Sequence, residues 1–321
     1  MSGGVAPRAS GGSRIDYDEL PAEVRAWVER ELGSPVVATA TQAGGFSTGA
    51  AARVETAVGR RAFVKAVSDE VNAQTPDLFR HEIAVLTTLA DVPYRAALRS
   101  SFDDGSWVGL LLDDVEGRHP DLHDDTDIAA TAQVLVAQAR ELTPDPVRLD
   151  VPTMADSVAR WHDRVEKALD RDPSMFPSWF VSESREMLRR LGSLVARMPS
   201  DSWVHLDIRD DNLLVRADGS AVVVDWGMSR SGPSWLDQVL LAVHRAELPV
   251  FDEQVTGAVA VGADGSEHAV PADDVTDCLL ALGSSLAALR DRPMPGLPEI
   301  DEFRRREQAR LLAGARRRLG A

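Results

Sequence analysis

His205-Leu-Asp207-Ile-Arg209-Asp-Asp-Asn212-Leu-Leu-Val-Arg-Ala-Asp218-Gly219-Ser-Ala-Val-Val-Val-Asp225-Trp-Gly227 is the stretch whose reading decides the fold. Two apolar runs, Leu213-Leu214-Val215 and Val222-Val223-Val224, flank Asp218-Gly219, a two-residue hairpin signal. Counting outward from such a turn brings Asn212 opposite Asp225 at the open end. Two oxygen donors there, with room for water, suit Mg²⁺, which takes few protein oxygens and fills the rest of its shell from phosphates and solvent. Asp207 lies in the loop feeding the first strand and adds a third oxygen group beside the expected metal.

Upstream of this hairpin the chain reads as β-rich. Ala22 to Leu32 has helical spacing and ends at Gly33, a natural cap. Pro35 to Thr41, Ala50 to Ala57 and Arg61 to Val67 are strand-like runs of an antiparallel meander. Thr75-Pro76-Asp77 starts a helix ending near Asp91, with Leu78, Ile83, Leu86 and Leu89 as its buried stripe. Ala97 to Phe102 and Ser106 to Leu112 complete five strands. Beyond Asp124 the periods lengthen to helices at Asp127 to Leu142, Met154 to Asp170, Ser182 to Met198, Ser234 to Ala246, Asp273 to Leu289 and Pro298 to Leu319. The expected architecture is α+β: a flexible tail at 1–14, a small antiparallel β lobe with one inserted helix at 15–113, and a larger, mainly helical lobe at 114–321. A cleft between such lobes is where small ligands usually bind.

Composition narrows the class. With 35 Lys and Arg against 51 Asp and Glu the formal charge is −16, which disfavours a free-standing grip on nucleic acid. A 44% hydrophobic content supports an ordinary core without staples, and the single Cys278 excludes an internal disulfide framework or a multi-cysteine metal site. Met1 to Arg14 is Gly/Ser-rich without an apolar stretch, and no run approaches a membrane span. No membrane association and a reducing, cytoplasmic setting are expected.

The pattern H-x-D-x-x-x-x-N followed by D-x-G resembles the catalytic loop and magnesium motif of the protein-kinase-like superfamily, and Asp225-Trp226-Gly227 is closest to the aminoglycoside phosphotransferase family. The resemblance runs from about Val36 to Leu289 and implies a protein-kinase-like two-lobe fold. It implies a phosphotransferase that moves the γ-phosphoryl group of ATP or GTP, with Mg²⁺, to a hydroxyl of a small molecule. Asp207 is then the base or hydroxyl-orienting carboxylate, and Asn212 and Asp225 hold the metal. Arg209, where related kinases carry lysine or histidine, is expected to touch the γ-phosphate.

Gly44-Gly45-Phe46-Ser47-Thr48-Gly49 lies between two strands, where small residues let backbone N–H groups approach phosphate oxygens. The glycine-rich turn of the family is similar, which assigns Gly45, Phe46, Ser47 and Thr48 to the nucleotide. A turn at Gly59-Arg60 would place Lys65 across from about Val54. Lys65 shares a strand face with Phe63 and needs an anionic partner in an apolar interior. Glu82 on the next helix is the candidate, and in the superfamily such a pair orients the lysine onto the α- and β-phosphates. The segment Leu110 to Gly117 resembles the hinge, where the backbone at Asp113 and Val115 would hold the purine edge. Asp237 resembles the aspartate that braces the catalytic loop.

Other residues receive simpler readings. His205 braces its loop, and Trp226 packs. His119 to Asp125 is a polar linker ending in helix-capping aspartates, Cys278 is a core residue, and the terminal arginines form a solvated helix face. Acidic residues at Glu247, Asp252, Glu253, Asp273 and Asp274 favour a cationic acceptor such as an aminoglycoside or other amino-bearing antibiotic or metabolite. The arginine-rich C-terminus departs from the acidic end of several aminoglycoside kinases. Choline-, homoserine- and sugar-type kinases remain open, as do a nucleotide-binding regulatory pseudokinase and a metal-dependent phosphoesterase built on His205, Asp207 and Asp225.

Overall fold

Helix α1 (Ala22–Leu32) ends where Gly33 adopts a left-handed φ of 66° and returns its N–H to Arg30, the turn that a glycine makes without a Cβ penalty. This computed structural model describes residues 14–42, 49–71, 75–290, 292 and 300–320. Those residues fall into two compact units: 14–118 with 222–227, and 119–221 with 228–292 and most of the last helix. The first unit therefore reaches Arg118 rather than ending at Asp113, and it takes in the Asp225-Trp226-Gly227 segment.

The first unit is built on five antiparallel strands: β1 (Val36–Thr41), β2 (Ala50–Thr56), β3 (Arg61–Ser68), β4 (Leu98–Asp103) and β5 (Trp107–Leu112). Their order is β1-β2-β3-β5-β4, and helix α2 (Thr75–Thr88) is inserted between β3 and β4. The sequence signals for the strands hold to within one residue, and α2 ends three residues before the expected Asp91. Val24, Trp27, Val28 and Leu32 of α1 join Ala52, Val54, Ala62, Val64 and Leu111 in one apolar core. Trp27 packs against Phe102 at 5.6 Å, and a Cβ at Gly109 would come within 3.0 Å of the indole, so the strand needs a glycine there.

The β2–β3 turn differs from expectation. Thr56 donates to the Arg60 carbonyl and Gly59 donates to Thr56, which closes a three-residue loop with Gly59 at φ 76°. Lys65 consequently pairs with Ala51 rather than Val54. The 222–227 segment enters this unit through the Val223 N–H, which donates to the Tyr94 carbonyl at 2.9 Å.

The second unit is mainly helical. Its longer helices are α3 (Asp125–Glu141), α4 (Met154–Arg171), α6 (Ser184–Val195), α9 (Ala272–Ala287) and α10 (Ile300–Leu319), with the shorter α5 (Ser178–Ser182), α7 (Leu236–Ala242) and α8 (Val250–Thr256). Asp124 caps α3 by accepting from Thr126 and Asp127, the capping role expected of that linker. Val158, Val165, Leu191, Leu194, Leu279 and Leu280 are buried in the unit. Short strands β6 (Ser202–Val204) and β9 (Arg230–Gly232) pair antiparallel, as do β10 (Val259–Val261) and β11 (Glu267–Ala269), a hairpin that the sequence analysis did not anticipate. β7 (Leu213–Val215) and β8 (Ala221–Val223) flank the Asp218-Gly219 turn.

That turn again holds three residues. Arg216 donates to Ser220, Gly219 donates to Arg216, and Gly219 sits at φ 84°. The turn is therefore one residue longer than the two-residue turn expected. The C-terminal arginines divide: Arg305, Arg306 and Arg316 are exposed, as expected of a solvated face, whereas Arg304, Arg317 and Arg318 anchor the helix. Arg304 is buried against the Leu289 and Arg292 carbonyls and Asp301, while Arg317 and Arg318 both pair with Asp252.

Candidate active site

In the first unit, β3 places Lys65 on a buried face, 6% exposed, where an ammonium needs counter-charge. It finds two carboxylates. Its Nζ donates to Glu82 Oε2 at 2.5 Å and to Asp225 Oδ1 at 3.0 Å, and it lies 5.1 Å from the centre of the Phe79 ring. Glu82 is 1% exposed on α2, and its other oxygen accepts the Trp226 N–H at 3.1 Å. Burial by itself would lower the ammonium pKa, but Asp225 and Glu82 outweigh it and hold Lys65 above its ordinary value. One ammonium thus faces two carboxylates.

The tripeptide around Asp225 is tightly specified. Asp225 adopts a left-handed φ of 67°, uncommon for a residue other than glycine. Trp226 is buried, with the Arg95 guanidinium 5.0 Å from its ring. A Cβ at Gly227 would press to 3.3 Å from the Leu78 carbonyl of α2, so the glycine lets this segment lie against the helix that carries Glu82.

In the second unit the loop His205 to Asn212 is held from outside by several side chains. Buried Asp237 accepts the N–H groups of His205 at 2.7 Å and Leu206 at 2.9 Å, together with Gln138 Nε2 at 3.0 Å. Leu206 sits at φ 69°, so the carboxylate fastens a backbone turn that leucine rarely adopts. Burial pushes the Asp237 pKa up, with His205 and the three donors opposing it. His119 Nδ1 contacts the Asp210 and Leu213 carbonyls at 3.0 and 3.1 Å, and His244 Nε2 donates to the Ile208 carbonyl at 3.2 Å. Burial and the nearby Arg310 bring His244 down to about 4, so its ring is neutral at pH 7.

Inside this brace, Asn212 Nδ2 donates to both the Asp207 carbonyl at 2.9 Å and Asp207 Oδ2 at 2.8 Å. Only the NH₂ end of an amide can serve two acceptors, so the orientation is fixed and Oδ1 remains as the acceptor that a hard cation requires. The Asp207 N–H approaches His205 Nδ1 at 3.3 Å, which makes the buried ring an acceptor on that side. Arg209 forms a two-pronged pair with Asp211, at 2.9 and 2.8 Å, and its Nη1 lies 3.2 Å from Asp207 Oδ1. The arginine expected to reach a phosphate is thus engaged with its own loop.

Lys65, Glu82 and Asp225 are brought together, and so are Asp207, Arg209 and Asn212. Gly45, Phe46, Ser47 and Thr48 lie outside the described residues. At the hinge-like segment Asp113 donates to the Ala97 carbonyl and pairs with Arg99, while the Val115 carbonyl is taken by Arg53 at 2.8 Å. Neither the Asp113 carbonyl nor the Val115 N–H has a partner among the described residues. His119, His244 and Gln138 were not singled out as loop braces, because nothing in their local pattern separates a brace from a linker or core residue. Cys278 is buried with its thiol pushed up to about 12, an inert core group.

The acidic segments expected to attract a cation are largely occupied. Asp252 holds Arg317 and Arg318, Asp273 holds Arg190, and Asp274 holds Arg197. Burial would raise Asp252, yet the two arginines keep it below the usual carboxylate range.

The model of the phosphotransferase enzyme family (APH) matches residues 41–264. Three solved structures share the fold. An aminoglycoside phosphotransferase from Alicyclobacillus acidocaldarius subsp. acidocaldarius DSM 446 is 16% identical, with 88% of this chain and 92% of that chain covered and a TM-score of 0.50. A choline kinase from Streptococcus pneumoniae is 12% identical, with 92% and 99% covered and a TM-score of 0.57. A choline kinase from Cryptosporidium parvum Iowa II is 9% identical, with 94% and 97% covered and a TM-score of 0.54. No curated protein matches the sequence. Among the described residues, no helix is long and apolar enough to cross a membrane.

Proposed function

The chain belongs to the phosphotransferase enzyme family and is a small-molecule kinase acting on a hydroxyl group, and from that premise we propose that its donor is ATP or GTP and that Asp207 serves the acceptor hydroxyl. The observation that carries this reading is the clamp on Asp207, whose carboxylate is held by Asn212 on one oxygen and approached by Arg209 on the other. A binding module has no use for a carboxylate fixed in this way, whereas a kinase needs one to orient a hydroxyl and take its proton.

Lys65 donates to the α- and β-phosphates, and Glu82 keeps its ammonium aimed and charged. The Asp113 carbonyl and the Val115 N–H receive the purine edge. Gly45, Phe46, Ser47 and Thr48 supply backbone N–H groups to the phosphates. The paired carboxylates around Lys65 and the acceptor oxygen that Asn212 retains suit Mg²⁺ chemically, Asp225 and Asn212 each offering the ion an oxygen. When bound, the ion would neutralise charge on the phosphates of the donor. Arg209 works through Asp207, holding the carboxylate in register, rather than on the γ-phosphate.

The amino-bearing acceptor class, aminoglycosides included, rested on acidic segments whose main carboxylates are now seen to be paired with arginines. Their pull on a cation is correspondingly reduced, and metabolite alcohols stand beside antibiotics as acceptors. The test is incubation with Mg-ATP and a mixed panel of aminoglycosides, amino alcohols, sugars and hydroxy acids, followed by mass spectrometry. A single phosphoryl mass gain on one compound class is expected. Mg-dependent ATP binding with no transfer to any alcohol in the panel, and no effect of Asp207→Asn on residual ATP hydrolysis, would count against the catalytic reading.

A further inference from the structure

The second unit holds a group of cations that the kinase chemistry above does not use. Ser157, Arg160 and Arg164 share one face of α4, and Arg230 lies on β9 beside them. Ser157 is buried, and its hydroxyl donates to the Thr153 carbonyl at 3.0 Å, which leaves only acceptor capacity. Arg230 Nη1 donates to that oxygen at 2.7 Å and Arg160 Nη2 at 3.1 Å, so one small hydroxyl draws two guanidinium groups together. A turn further on, Arg164 Nη1 donates to Ser285 Oγ of α9 at 3.0 Å. Among the described residues none of the three arginines has a carboxylate within ion-pair distance. Asp156, the acid one turn before Arg160, is held by the N–H and hydroxyl of Thr153, and Asp163 approaches His162.

Such a grouping is unfavourable in isolation. Burial together with neighbouring arginines draws Arg164 and Arg230 below the ordinary guanidinium value. In a chain with 51 acidic residues against 35 basic ones, partners for three arginines were available, and much of the rest of the unit uses them. Arginine forks match the geometry of carboxylates and phosphates. The placement is also informative. Arg230 pairs with Val204, three residues before Asp207, at most about 10 Å of chain. A Cβ at Gly232 would meet Met154, at the start of α4, at 3.1 Å, so β9 lies close against that end of the helix, and β9 in turn pairs with β6, the strand that leads into the loop of Asp207.

We propose that Arg160, Arg164 and Arg230 form an anion-recognition subsite that takes a carboxylate or phosphoryl group of the acceptor while its hydroxyl is presented to Asp207. The acceptor is then an alcohol with an oxyanion at its other end, a hydroxy acid or a phosphorylated alcohol, and not a polycation. This proposal rests on the kinase reading for the hydroxyl but not for the anion, so the two are tested separately.

Inorganic sulfate is the probe for the subsite. Thermal unfolding is followed while sodium sulfate replaces chloride at constant ionic strength, for the wild type, for exposed Arg160→Gln, and for the Arg160→Gln/Arg230→Gln pair. A saturable stabilisation is expected in the wild type, weakened at least tenfold in apparent affinity by Arg160→Gln and absent in the double variant. Mg-ATP affinity by calorimetry is expected to be equal in all three. In turnover, the same substitutions raise the KM of an anionic acceptor at least tenfold and leave the KM of Mg-ATP unchanged. Comparing matched hydroxy acids and phosphorylated alcohols shows which oxyanion the subsite prefers. The same non-saturating sulfate response in all three proteins would overturn the subsite, even with Mg-ATP bound normally. A wild type that takes up sulfate saturably but shows no Mg-ATP binding would overturn the kinase reading and leave the anion site standing.

Discussion

Replacing Asp237 with Asn removes the charge that fastens the loop carrying Asp207 while keeping the side chain nearly the same size. The carboxylate accepts three donors, from His205, Leu206 and Gln138. An asparagine oxygen can satisfy only part of this set, and its NH₂ then faces a donor. Hydrogen bonds to a charged group contribute about 1.5–3 kcal/mol each, and a buried N–H left without a partner costs about 1–3 kcal/mol. The left-handed Leu206 stores about 1–2 kcal/mol that the loop releases if it relaxes. Against these stands relief from burying a carboxylate, which is why Asp237 is pushed up in pKa. The balance is a loss of about 2–4 kcal/mol, or about 4–16 °C in Tm for a unit of this size. Differential scanning calorimetry gives the stability, and coupled turnover with the acceptor gives the rate. Turnover at a temperature where the variant is fully folded is expected to fall at least tenfold, because relaxation of Leu206 carries Asp207 with it. A Tm within 1 °C of wild type together with normal turnover would refute the bracing role.

Asp225→Ala is expected to weaken Mg-ATP binding more than Asn212→Ala in calorimetry, because a carboxylate attracts the ion with full charge and an amide only with a dipole; equal affinities in all three proteins would remove the metal assignment. Lys65→Met strands Glu82 and Asp225 as neighbouring carboxylates, so Mg-ATP affinity is expected to drop at least tenfold and the buried Glu82 to take up a proton nearer neutral pH, readable as a more acid-tolerant unfolding curve. His244 has a folded pKa depressed to about 4, so its stabilising contribution is present at pH 7 and is lost as pH falls through the unfolded value near 6.5; the loss reaches about 2 kcal/mol by pH 5. His244→Gln, which can still donate to the Ile208 carbonyl, is expected to flatten that part of the stability profile, and an unchanged profile would contradict the assignment.

The fold was legible where periodicity and caps were strong. The five strands, the inserted helix at Thr75–Thr88 and the long helices of the second unit follow directly from their apolar spacing. The pairing of Lys65 with Glu82 was legible because a lysine on an apolar strand face demands an acid, and α2 supplied one. Register was less legible, for one repeated physical reason. The loops Ala57-Val58-Gly59, Ala217-Asp218-Gly219 and Ala263-Asp264-Gly265 all place glycine third, at φ 76°, 84° and 79°, in a loop of three residues. Read as two-residue turns, the Asp218-Gly219 signal misplaces the count by one and the Gly59-Arg60 signal moves the partner of Lys65 by three positions, while the third loop went unrecognised as a hairpin altogether. Charge was the other weak point. The acids at Asp252, Asp273 and Asp274 looked available to a cationic acceptor, but the arginines that neutralise them lie far away in the sequence, at 317–318, 190 and 197, and only tertiary structure brings them together. The same holds for Arg160, Arg164 and Arg230, which are unremarkable along the chain and meet only around Ser157 and Ser285.

The central claim is that Asp207 orients and deprotonates an acceptor hydroxyl. Asp207→Asn keeps the contact that Asn212 makes with the side chain and removes the charge that receives the proton. Single-turnover phosphoryl transfer from Mg-ATP, measured with wild type and variant on an acceptor found by the panel, is expected to slow by about 10²- to 10⁴-fold, with Mg-ATP affinity unchanged. A variant that transfers the phosphoryl group at nearly the wild-type rate would contradict the account.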